Sequence, residues 1–268
     1  MTSMRIWHQS MTELEMLPWY RSTLEDHAKN IVGDGVEVIV KGLRSGSYDG
    51  LSPSFVLGYA YPYHIVLTQV IEAAREAEKE GFDAFVVGSY SEPYLREIRS
   101  TVDIPVVSLA ESTFLLGCSL AKYQGLISNT PAIARIVGSK VEQHRLQGRV
   151  IGPYSIDPPL DEGALAAASD DPSDFISNFV AAAERVIGEG ADVVIPAEGV
   201  LSELLYSNKI SRVGEVPVMD SLGVTWLHAE MMVNLWRRTG LRVGRRWEYA
   251  RPSTELMERI RGAAGLES

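Results

Sequence analysis

A chain of 268 residues, 46% of them hydrophobic and 22% charged, is long enough for one large α/β domain or two small ones with a sizeable core, which excludes intrinsic disorder. Thirty-five Asp and Glu against 25 Lys and Arg leave a formal charge of −10, which argues against general affinity for nucleic acid or an anionic membrane. No apolar run approaches the roughly 20 residues of a membrane span, no signal-peptide pattern opens the chain, and the lone Cys118 permits no internal disulfide, so a cytoplasmic protein is expected.

In chain order, short β-branched runs alternate with helix-length amphipathic segments. Strands are predicted at residues 4–8, 36–40, 84–88, 104–107, 125–128, 149–151, 193–196 and 216–219. A helix is predicted over 65–80, where Val66, Val70, Ala73, Ala74 and Ala77 recur at helical spacing. Another is predicted over 172–189, with Asp171 as N-cap and Pro172 at the first helical position. An apolar helix over 112–122 carries Cys118, read as a buried small hydrophobe, and a helix over 224–237 carries His228. This alternation is that of parallel sheets covered by helices, with ligands at the carboxyl ends of the strands.

The chain also repeats itself. Residues 80–89 (EGFDAFVVGS) read like residues 189–198 (EGADVVIPAE), with Gly81 matched to Gly190, Asp83 to Asp192 and Ser89 to Glu198. In both copies a long helix ends at a glycine suited to positive φ, and Asp then enters a buried strand. The loops His8-Gln9-Ser10 and Ser128-Asn129-Thr130 also correspond, each following a first strand. Duplication predicts two similar sheets whose strand ends face a shared cleft.

These motifs, with Ile104-Pro105-Val106-Val107-Ser108 and Val216-Pro217-Val218-Met219-Asp220, occur in the order seen in the aspartate/glutamate/hydantoin racemase superfamily, and the chain most resembles its hydantoin-racemase-like branch. The resemblance runs from Arg5 to about Arg238. It implies an α/β fold of two flavodoxin-like lobes with parallel sheets, related by a pseudo-twofold axis, with the active site in the cleft between them. Residues 1–112 and 222–268 would form one lobe, the C-terminal helix returning to it, and residues 113–221 the other. The resemblance also implies a cysteine at the end of the signature strand in each lobe, one thiolate removing a proton and the other thiol delivering one to the opposite face.

Here those two positions are Ser89 and Glu198. A serine hydroxyl is no carbon base near neutral pH without an activator, so two-thiol racemisation is not expected. Glu198 should emerge from a buried strand, where desolvation raises a carboxyl pKa into the range of a general acid or base, or it caps the helix beginning near Val200. Ser89, with the Tyr90 N–H beside it, is a candidate to bind a substrate oxygen, or an N-cap for residues 92–99. The turns at His8 and Ser10 and at Ser128, Asn129 and Thr130, with Gly199, offer side-chain donors and free helix N–H groups for an anion; ordinary capping is the alternative. His8 is equally suited to a structural hydrogen bond. The polar loop 42–50 has the make-up of a substrate lid, and its Arg44 is a candidate partner for a substrate carboxylate. Asp220 reads as a cap or a site-orienting group.

His8, His64 and Glu198 lack any short metal-ligand spacing, and no phosphate-binding glycine motif follows a strand, so neither metal nor other cofactor is expected. The C-terminal segment, with Arg237, Arg238, Arg242, Arg245, Arg246, Arg251, Trp236 and Trp247, reads as a helix end or a contact between subunits of a homo-oligomer, not as a nucleic-acid site. The expected activity is a cofactor-independent, one-base proton transfer of isomerase or lyase type on a small carboxylate or hydantoin-like carbon acid. Two alternatives stand beside it: a hydrolase of such a ring or amide in which Glu198 activates water, and a non-catalytic small-molecule binding protein.

Overall fold

The computed structural model describes residues 3–266. Four parallel strands, β1 (Met4–Ser10), β2 (Val36–Lys41), β3 (Ala84–Gly88) and β4 (Val106–Ser108), form a first sheet in the order β2-β1-β3-β4. Three more, β5 (Gln124–Ser128), β6 (Val150–Ser155) and β7 (Val193–Pro196), form a second parallel sheet in the order β6-β5-β7. A two-residue antiparallel pair, β8 (Arg212–Val213) and β9 (Val216–Pro217), completes the strands. Among the described residues, no helix is long and apolar enough to cross a membrane.

Parallel sheets covered by helices on both faces read as unbroken apolar runs, and β3, β5 and β7 are buried at every residue. Alternation of side chains then divides the first sheet between two cores. Ile6, Ala84 and Val86 join the larger core, which continues through the second sheet and the helix Ser221–Thr239. Trp7, Phe85 and Val87 face the opposite way, onto Val70, Ala74 and Ala77 of the helix Gln69–Lys79 and onto Leu95 and Ile98.

Gly81 and Gly190 both adopt positive φ, +75° and +108°, at the ends of their helices, as the repeat requires. Four local features differ from expectation. The helix expected over 65–80 is two, Ala60–Leu67 and Gln69–Lys79, with Thr68 between them donating its hydroxyl to the His64 carbonyl. Pro172, not Asp171, occupies the N-cap of Ser173–Gly188, while the Asp171 carboxylate accepts from the Ser173 N–H and hydroxyl. Beyond β9, Val218 makes only an isolated parallel bridge to Val194. Cys118 is half-buried, its Sγ accepting from Gln124 Nε2 at 3.2 Å.

Two buried ionic contacts join the halves of the chain. His27, on the helix Pro18–Ile31, lies 2.8 Å from Glu203 through Nδ1 and 2.8 Å from Asp220 through Nε2. Burial opposes a charge on this imidazole, but the hydrogen bonds to Asp220 and Glu203 outweigh it and raise its pKa. His144 in turn meets the buried Glu92 at 2.8 Å.

The C-terminal arginines are largely engaged within the chain. Arg245 donates to the Arg99 and Val102 carbonyls and to Asp103, Arg251 pairs with Glu78 and Asp103, and Arg237 pairs with Asp83. Much of the segment expected at a subunit contact is thus a strap on its own first sheet, although Trp247 remains 78% exposed.

Candidate active site

The ends of β3 and β7 deliver Ser89 and Glu198 to one cavity of about 50 Å³. Ser10, Thr12, Tyr20, Tyr90, Ser91 and Gly199 line it with them, and Leu57, Ile133, Ile136 and Val200 supply apolar wall. Glu162, at the start of the short helix Glu162–Ala167, adds a second carboxyl. The mirrored residues of the repeat therefore meet in space, and Ser10, Tyr90 and Gly199 lie with them as expected.

Glu198 has both features considered from the sequence, a capping bond and a raised pKa. It is the N-cap of the helix Gly199–Ser207, accepting the Leu201 N–H at 2.6 Å. Burial pushes its carboxyl up to about 7, and the nearby Glu162 adds to the shift; the N–H groups of Leu201, Val200 and Gly199 favour the charged form and limit it. A carboxyl balanced this way is present in both protonation states near neutral pH, the condition for taking and returning a proton.

Ser89 is not the N-cap of the following helix, which spans Leu95–Thr101 with Tyr94 at its N-cap. Its hydroxyl instead accepts the Ser91 N–H at 3.1 Å and shares a 3.0 Å bond with the Ser91 hydroxyl. The Ser10 and Thr12 hydroxyls are 2.9 Å apart, and the Thr12 N–H donates to Ser10 Oγ. Tyr90 donates its hydroxyl to Ser221, which donates to the Pro196 carbonyl, so the ends of β3 and β7 are tied together beneath the cavity.

The other candidates lie elsewhere. His8 is buried and accepts from Trp226 Nε1 at 3.1 Å; burial, reinforced by His27, lowers its pKa to about 3, so it is a neutral core residue. β1 runs on to Ser10, so Ser10 reaches the cavity while His8, two residues earlier on the same face, lies deeper, against Trp226. Thr130 caps the helix Pro131–Gln143. Ser128 Oγ and both polar atoms of the Asn129 side chain are buried without a partner in the protein, yet neither residue lines the cavity. Arg44 is exposed and lies in a separate hollow with Lys41, Gln69 and Glu72. The loop 42–50 is pinned rather than free, because Glu13 accepts the Gly46 and Tyr48 N–H groups at 2.7 Å each and the Tyr48 hydroxyl donates to the Met11 carbonyl. Pro53 and Leu57, from the segment just after it, are what close the cavity.

His64 bonds Tyr94 and His228 bonds Ser112, both away from Glu198. Among the described residues, no group of three or more His, Cys, Asp or Glu could hold a metal ion. Asp220 caps the helix Ser221–Thr239 through the Gly223 N–H and orients His27.

Two lining residues had no sequence signal. Glu162 opens the short helix Glu162–Ala167 after β6, in a stretch that carries no motif, and its partners, Ser52 and Ser54, are more than a hundred positions away. Tyr20 lies on the helix Pro18–Ile31, and its hydroxyl is within 2.8 Å of where a Cβ on Gly199 would sit. Burial and then Glu198 raise its pKa well above the ordinary tyrosine value, so the phenol stays protonated.

Larger hollows exist, including one of about 1100 Å³ between the Gln69–Lys79 and C-terminal helices. It is lined mainly by charged surface residues such as Glu72, Arg75, Glu76 and Lys79 and lies away from the strand ends where Ser89 and Glu198 converge.

Two parallel sheets whose strand ends meet at one cavity define a class of two-lobed α/β proteins. The family model described as Asp/Glu/Hydantoin racemase matches residues 60–229, and the chain belongs to that family, an enzyme of the racemase superfamily. It is 25% identical over 217 residues to the hydantoin racemase of Pseudomonas sp. (strain NS671), covering 81% of this chain and 82% of that protein. The structures of allantoin racemase from Klebsiella pneumoniae and from Pseudomonas fluorescens each superpose with a TM-score of 0.76, at 20% and 19% identity. The first covers 94% of this chain and 95% of its own, the second 93% and 97%.

Proposed function

We propose that this chain is a cofactor-independent enzyme of isomerase type that exchanges a proton at the acidic carbon of a small carboxylate or hydantoin-like molecule, with Glu198 as the proton carrier. The observation that carries the reading is the placement of Glu198, held at the cavity by a helix N-terminus and balanced near pH 7. In its charged form it removes the proton next to a carbonyl; the resulting acid returns it to the same carbon or to a conjugated position. Ser89, Tyr90 and Gly199 supply hydrogen-bond donors at the opposite strand end and at the helix N-terminus, where an enolate oxygen is best stabilised. Cys118, bonded to Gln124 outside the cavity, takes no part. The same reading divides the chain into lobes of residues 1–112 with 222–268 and 113–221, supported by the packing of Ser221–Thr239 on the first sheet.

NMR in deuterated water, with hydantoins, thiohydantoins, malonates and α-substituted dicarboxylates, tests the proposal. Deuterium should enter the acidic carbon with the skeleton intact, and Glu198→Gln should abolish that exchange. Ring opening without exchange would overturn it in favour of hydrolysis, with Glu198 activating water.

A further inference from the structure

The cavity is unusual in its charge. Glu162 and Glu198 both line it, and among the described residues that line it none is Lys, Arg or His. A substrate carboxylate entering here would meet two carboxyl groups and no cation, the reverse of what binding such a group requires. Glu162 is also a built feature. It is 6% exposed, and its Oε2 accepts the hydroxyls of Ser52 and Ser54 at 2.8 and 2.9 Å and the Ser54 N–H at 3.3 Å. All these bonds fall on one oxygen, so Oε1 is left to accept from whatever fills the cavity.

Resting on the reading above that the cavity is the proton-transfer site, we propose that Glu162 is its specificity-determining residue. Its free oxygen accepts a ring N–H of an uncharged ureide- or imide-type substrate, and its charge excludes substrates that carry a carboxylate. Of the two substrate classes the fold admits, the cavity selects the neutral ring. A site built to bond an N–H also rejects analogues without one, because its buried acceptor would be left unpaired.

The test compares 5-methylhydantoin with hydantoin-5-acetic acid, the same ring with and without a carboxylate, at pH 8. Exchange at ring carbon 5 and direct binding, by calorimetry, are measured in parallel. For the natural protein, kcat/KM should favour the neutral ring by about tenfold or more. Glu162→Gln retains an oxygen to accept from Ser52 and Ser54 but removes the charge. It should collapse that ratio, raising KM for the neutral ring while improving the acid. Glu162→Ala serves as the structural control, losing the serine bonds as well. An unchanged ratio in Glu162→Gln, or equal losses on both rings, would reduce Glu162 to a structural clasp and overturn the proposal. If neither ring exchanges, the proton-transfer reading fails, and binding decides this one separately. Selective binding of the neutral ring, lost in Glu162→Gln, sustains it; equal binding of both rings, or of neither, overturns it.

Discussion

Glu198 is pulled in two directions. The helix N-terminus favours its charge, burial and Glu162 oppose it, and the outcome is a pKa of about 7. If Glu198 is the base, kcat/KM should rise as pH climbs from 5 towards 7 and level off above it, which a pH–rate profile of deuterium exchange would show. Glu198→Gln should cost at least about a hundredfold in exchange rate. The sign for stability is the opposite: a carboxyl whose folded pKa is raised favours the folded state when protonated, so its cost appears as pH climbs from the unfolded value towards 7. Glu198→Gln should therefore be more stable than the natural protein at pH 8, by roughly 2–3 kcal/mol, and match it near pH 4.5, as thermal denaturation at the two pH values would reveal. Cys118→Ala should leave exchange within severalfold of normal. Ser89 and Glu198 were legible because the internal repeat put them in register. Glu162 was not, since its role depends on serines contributed by the other half of the chain.

The helix Gly199–Ser207 turns one carboxylate into a site, and its first residue is sterically fixed. A Cβ at Gly199 would stand 2.8 Å from Tyr20 Oη but 4.0 Å from Cζ, so the obstacle is the hydroxyl alone. Gly199→Ala should destabilise the fold by about 1–3 kcal/mol and depress exchange by displacing Glu198. Adding Tyr20→Phe should recover much of the stability, because the methyl then meets only ordinary van der Waals contact; denaturant titration of the single and double variants would check this. Strands were readable because β3 and β7 are unbroken apolar runs and β5 has an apolar centre at Leu126 and Ile127, each between turn residues. Where β1 ends was not, and His8 was misplaced for that reason. It closes a short apolar run, but the strand continues to Ser10 and leaves His8 two residues inside the sheet.

At the scale of the molecule, His27 holds the Pro18–Ile31 helix to Glu203 and to Asp220, the cap of the helix Ser221–Thr239. Because its folded pKa is raised, its contribution is full below about 6.5 and is lost as pH rises through the folded value. The melting temperature should accordingly decline above pH 7. His27→Ala should flatten that decline and cost about 3–5 kcal/mol at pH 6, where it leaves the buried Glu203 without its cation. Nothing in the sequence around His27 marks this link, whose three members come from three distant segments. The two-lobed architecture itself was legible, since strand–helix alternation and repetition both survive in the order of residues.

The cavity has room for only a few water molecules. A five-membered ring is larger than that, so its binding requires the walls to move apart. Association is then gated: its rate constant is that of diffusional encounter multiplied by the fraction of time the cavity stands open, well below the diffusion limit. The same closure slows escape, so a bound ring has a long residence time and several proton exchanges can occur in each visit. In deuterated water the isotope content of released molecules would then approach equilibrium at the exchanging carbon even at the earliest times sampled.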